Sequence, residues 1–96
     1  MAKISTTRWD PTDHWVTEAD MAAHLDAALR EGDPQLILAA LGDLSRSKGM
    51  TQIARETGLG RESLYEALSP ESKAEFATIM KVIAALGLEL HATPSN

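Results

Sequence analysis

The sequence predicts an all-α domain of five helices spanning residues 17–87, preceded by an arm over 1–16 and followed by a short strand-like tail over 88–96. Three observations carry this. The run MTQIARETGLGRESLYEAL at 50–68 has the spacing of a helix-turn-helix. Apolar residues outside it recur at intervals of three and four, the period of helices that bury one face. Helix start and stop residues punctuate the chain between those stretches.

Taken in order, MAKISTTRWDPTDHWV lacks periodicity and contains Asp10-Pro11, so it reads as an extended arm whose Trp9, Trp15 and Val16 can anchor onto a surface. Thr17 with Asp20 forms a capping-box-like start, and Met21, Ala22, Leu25, Ala28 and Leu29 follow at helical spacing until Gly32. Asp33-Pro34 is an N-cap and first-position pair that opens the second helix. Its expected buried face is Leu36, Ile37, Ala40, Leu41 and Leu44, with Arg46 and Lys48 suited to its C-terminal dipole and Gly49 closing it.

Within the helix-turn-helix, Ala54 sits where two helices cross and only a small side chain fits. Gly58, four residues on, supplies the positive φ of the turn. Ile53, Leu59, Leu64 and Leu68 can then seal one small core, which leaves Arg61, Glu62, Tyr65 and Glu66 outward on the second helix. Those positions face base edges when such a motif docks in a major groove. After Ser69-Pro70, a fifth helix is expected to begin at Ser72 with Glu75 as its box partner. It would bury Phe76, Ile79, Met80, Ile83 and Leu86 and stop at Gly87. Leu88, Leu90 and Ala92 alternate with Glu89 and His91, a strand period too short to stand alone. Such a tail pairs with its copy in a dimer mate or with another protein's sheet, or packs as coil.

Ninety-six residues bury a modest core, so a homodimer is the expected state. The surplus apolar stripe of the fifth helix, Phe76, Ile79 and Ile83, together with Leu88 and Leu90, is the candidate dimer face. The absence of cysteine excludes disulfides and thiolate metal sites, and no apolar run or secretory leader is legible, so a cytoplasmic protein with no membrane association is expected.

The net charge of −5 weighs against strong non-specific DNA affinity, yet its distribution is uneven. Residues 1–33 hold three basic and seven acidic side chains, whereas 34–70 hold four of each. This reads as a near-neutral DNA-facing module joined to an acidic segment suited to a basic partner protein; a solvated acidic helix that only aids solubility is the other reading.

On the second helix of the motif, Arg61 can contact guanine O6 and N7 in bidentate fashion, or a phosphate. Tyr65 can touch a thymine methyl or phosphate, or cover a helix seam. Glu62 can accept from cytosine N4 or simply complement the helix dipole. Thr51 and Gln52, at the start of the preceding helix, and Ser63 are candidates for clamping the phosphate backbone, and Lys48 can reach a flanking phosphate. In the N-terminal third, Trp9 and Trp15 ringed by Asp10, Asp13, Glu18 and Asp20 are the candidate contacts to a basic protein, unless both rings pack on the chain's own helices.

Enzyme readings find no footing. His14, His24 and His91 are not at metal-ligand spacing, and no nucleophile elbow, phosphate loop or zincin motif is present. No cofactor is expected.

The run ALGDLSRSKGMTQIARETGLGRESLYEALS, with EGDP before it and FATIMKVIAALGLEL after it, resembles the addiction-module antidote proteins, HigA-like antitoxins of the lambda-repressor (XRE) helix-turn-helix class. RWDPTDHW also looks like that family's N-terminal part, so the likeness covers nearly the whole chain. Two departures are Gly60, where a Ser N-cap is common, and SKAEF, where a Gly-Asn-Pro-like turn is common. The resemblance implies a lambda-repressor-like fold and an antitoxin that binds a small basic toxin of the RelE/ParE superfamily. It further implies repression of the shared operon through an inverted-repeat operator. A stand-alone transcriptional regulator, or a protein-interaction module without DNA binding, is the alternative.

Overall fold

The computed structural model describes residues 17–95, and its first helix starts where the capping residue places it. Helix α1 (Glu18–Glu31) is capped by Thr17, whose hydroxyl accepts from the Asp20 N–H at 3.1 Å, and ends at Gly32 in the left-handed region. Its inward stripe is Met21, Leu25 and Ala28, while Leu29 stays partly exposed at its rim. Helix α2 (Pro34–Lys48) opens on Asp33, which accepts from the Gln35 N–H at 3.0 Å.

The buried face of α2 departs from expectation in part. Ala40, Leu41 and Leu44 are buried as expected, whereas Leu36 is 43 % exposed and Ile37 half-buried, and Leu38 and Ser45 complete the stripe in their place. The cause is the position of α2, which touches α1, α3 and α5 together. Its inward arc centres on the side facing all three neighbours, and a run of mostly apolar residues does not mark that centre from within. Leu41 and Leu44 are wholly enclosed, as are Ile53, Leu64, Val82 and Leu86 from the other helices. Each such side chain contributes roughly 1.5–3 kcal/mol from burial.

Helix α3 (Met50–Thr57) and helix α4 (Arg61–Ala67) follow, joined by residues 58–60. Gly49 serves as the end of α2 and the start of α3, so Thr51 is the second residue inside α3. Helix α5 (Phe76–Ala85) begins four residues later than the Ser72 start expected from sequence. Ser72 is used otherwise: its N–H donates to the Ser69 carbonyl at 2.9 Å and its hydroxyl to the Ala67 carbonyl at 2.7 Å. It closes the end of α4, and Glu75 becomes the N-cap of α5 without a side-chain bond. In the same turn the Ser69 hydroxyl donates to Glu71, holding its carboxyl below the usual glutamate range, with the Glu71 backbone N–H adding to the effect.

The end of α5 is a full Schellman closure. Gly87 (φ 82°) donates to the Ala84 carbonyl at 2.9 Å and Leu88 to the Ile83 carbonyl at 3.1 Å. Beyond it the expected strand does not form, and among the described residues there are five helices and no strand. The alternation in the tail is nonetheless used, with Leu88 and Leu90 half-buried against the core and Glu89 and His91 outward. Apolar side chains of α1 line the groove beside them, so the tail packs as coil. No helix among the described residues is long and apolar enough to cross a membrane.

Candidate functional site

The α3–α4 corner is built by a short chain of local bonds. Gly58 (φ 79°) donates its N–H to the Ala54 carbonyl at 3.0 Å, and the Thr57 hydroxyl donates to the same carbonyl at 3.1 Å. That hydroxyl also accepts from the Leu59 N–H at 3.4 Å. Thr57 is thereby a buried polar hinge of the turn, a role missed in the sequence because a threonine before glycine also reads as a plain helix end. Behind the corner Ile53, Ala54, Leu64 and Leu68 are buried and Leu59 is half-buried, the seal that the spacing predicts.

With that face occupied, Arg61, Glu62, Ser63, Tyr65 and Glu66 are all exposed on α4. The Arg61 guanidinium lies 5.9 Å from the Tyr65 ring centroid, one helical turn away. Such a stack is worth about 0.5–1 kcal/mol at an exposed site and restrains both side chains at the surface. On α3, Thr51 and Gln52 are exposed, and the Gln52 amide donates to the Glu56 carboxylate at 3.1 Å. Six of the seven residues predicted to face DNA are therefore on the surface of α3 and α4.

Lys48 is the seventh and has a different place. It is half-buried, and its ammonium donates to the Ala85 carbonyl at 3.1 Å, at the negative end of α5. That carbonyl is one of the last of α5, which the helix itself cannot satisfy. Arg46, on the same turn as Lys48, bonds to Asp43.

The remaining candidates separate into three groups. Glu18 and Asp20 stand exposed on the first turn of α1, whereas Trp9, Asp10, Asp13 and Trp15 lie outside the described residues. On α5, Phe76 is 70 % exposed, Met80 exposed and Ile79 half-buried. Ile83, at 2 % exposure, belongs to the chain's own core, as its place one turn beyond Ile79 on the inward side dictates. Leu88 and Leu90 pack on that core from the tail. Among the described residues no group of three or more His, Cys, Asp or Glu side chains gathers to hold a metal ion.

Comparison with known proteins assigns a family to this arrangement. The model of a family described as "probable addiction module antidote protein" matches residues 5–94. An uncharacterized protein of Haemophilus influenzae is 42 % identical over 88 residues, covering 92 % of this chain and 91 % of that one. No solved structure matches. The chain belongs to this family of probable addiction-module antidote proteins.

Proposed function

We propose that this protein is the DNA-binding antitoxin of a type II toxin-antitoxin module, HigA-like in its lambda-repressor (XRE) type helix-turn-helix, which acts by binding and not by catalysis. It neutralises a small basic toxin of the RelE/ParE superfamily by direct contact and represses the operon that encodes both, in the cytoplasm. The toxin contacts centre on the N-terminal third, with Trp9, Trp15 and the acids Asp10, Asp13, Glu18 and Asp20.

The observation that carries the DNA reading is the division of α4: Leu64 is sealed against α3, while Arg61, Glu62, Ser63 and Tyr65 stand together outside. Docked in a major groove, α4 presents Arg61 to guanine O6 and N7, with Tyr65 beneath it limiting the directions the guanidinium samples. Thr51, Gln52 and Ser63 contact backbone phosphates and set register. With four basic and four acidic side chains over residues 34–70, affinity per protomer is weak, so a homodimer on two half-sites does the reading. The exposed Phe76 and Met80 on α5 supply its apolar contact.

A second reading, an interaction module without DNA binding, draws support from the same charge balance and from Lys48 being engaged by Ala85. Fluorescence anisotropy on DNA from upstream of the operon separates the two. The parent chain should prefer it over scrambled DNA, with half-sites about 34–36 Å apart. Arg61→Ala should lose roughly 1–3 kcal/mol of that preference. Equal binding of the variant and the parent refutes the recognition-helix role.

A further inference from the structure

Two open apolar grooves beside the buried stripe of α1 share a common wall. One, of about 380 Å³, runs between Ala22, Ala23 and Leu29 of α1 and the tail residues Leu88–His91. The other, of about 260 Å³, continues past Leu29 and Leu90 to Ile79 and Phe76 of α5. Leu29 and Leu90 line both, so the two form one furrow. Its floor along α1 from Ala22 to Leu29 spans about 10 Å at 1.5 Å per residue, the length of two turns of a partner helix.

We propose that the stretch of this furrow between α1 and the tail receives an amphipathic helix of the toxin, apolar on the inserted face and basic along its flanks, leaving Phe76 to the contact between copies. The inference rests on the reading of the chain as an antidote to a basic protein, and it places the contact on the folded domain, on α1 and the tail together.

Charge decides between occupants. No lysine or arginine lines either groove, whereas Asp26 and Glu89 line the first and the Glu18 carboxylate lies over Gly87 at its end. Arg30 on this rim is already against Asp26 at 2.8 Å, and the His91 ring lies 3.2 Å from the Glu89 carboxylate. A second copy of this chain would bring the same acids to the same rim, which like-charge repulsion opposes. A basic helix neutralises them instead, and the alanines of the floor let its backbone approach while Leu29, Leu88 and Leu90 flank its anchors.

The test is titration calorimetry between the full chain and the purified product of the reading frame adjacent to its own. Ala22→Arg fills the groove and reverses its charge at an exposed helix position. It should weaken binding by at least about thirtyfold, with helix content and thermal midpoint unchanged. Ala27→Arg, exposed on the side of α1 that faces α2, is the control and should bind within about twofold of the parent. Glu89→Lys should lower the association rate and flatten its salt dependence.

If Ala22→Arg binds as tightly as the parent, the furrow is not the toxin site, while the antidote reading stands. If instead it turns a dimer into a monomer at undiminished toxin affinity, the furrow belongs to a second copy, and the proposal is overturned. No binding by the parent chain overturns both readings together.

Discussion

Replacing Ser45 by alanine should stabilise this protein, although the residue lies in the middle of its core. The Ser45 side chain is 0 % exposed and its hydroxyl has no hydrogen-bond partner. A buried polar group left unpaired costs about 1–3 kcal/mol of lost hydration. The change also gains a few tenths of a kcal/mol of helix propensity, roughly 0.5 kcal/mol for serine to alanine. Against this stands the void left by one oxygen, which at about 24 cal/mol per Å³ costs roughly 0.3 kcal/mol. The Ser45 carbonyl still accepts the Gly49 N–H that closes α2 at 2.8 Å, so the backbone keeps its bond. The balance is a gain of about 1–3 kcal/mol, or roughly 4–24 °C in Tm for a domain of this size. Urea titration followed by circular dichroism reads it as a higher midpoint at unchanged slope. A variant less stable than the parent by more than about 0.5 kcal/mol would falsify the reasoning, because the hydroxyl would then have to be doing bonded work.

Gly42 offers a second gain in the same helix: a Cβ there meets Arg46 Nη1 at 3.5 Å and Leu68 at 3.7–3.8 Å, ordinary contact distances, so Gly42→Ala should add about 0.5–1 kcal/mol, read from the urea midpoint. Lys48→Met keeps the aliphatic stem and removes the donor to the Ala85 carbonyl, so stability should fall by about 1 kcal/mol, with faster amide exchange at the end of α5. Glu71 should titrate below the ordinary glutamate value in an NMR pH series, and Ser69→Ala should move it back up. Because the folded pKa is the lower one, the turn's contribution is complete above the unfolded pKa and is lost as pH falls through the folded value.

How much of this could be read from the chain depends on the range of the signal. Thr17, Gly32, Asp33-Pro34 and Gly58 act on neighbours within four residues, and each of those boundaries stands where local chemistry puts it. The seal behind α4 was legible for the same reason, since Ile53, Ala54 and Leu64 are ordered by one turn. Ser72 carried a local signal that could be spent in two ways, starting α5 or closing α4. Only the reach of its hydroxyl to Ala67 decides between them. Leu36 and Leu38 differ by the angle at which α2 meets three helices, and Lys48 by a carbonyl 37 residues away. No spacing rule reaches that far.

The brevity of α4 ties its exposed surface to the fold of the whole domain. Seven residues, with no side-chain cap at Gly60, fall well below the roughly 12–15 needed for a helix to persist in water. Its outward side chains hold their places only while Leu64 is clamped by the rest of the domain. If α4 reads DNA as proposed, operator binding and global folding are one equilibrium, and every event that opens the core erases the α4 surface at the same moment. A fragment spanning 50–68 should be a random coil with no operator affinity. On that proposed role, proteolysis of the opened chain would release bound DNA in a single stroke, with no half-active form left behind.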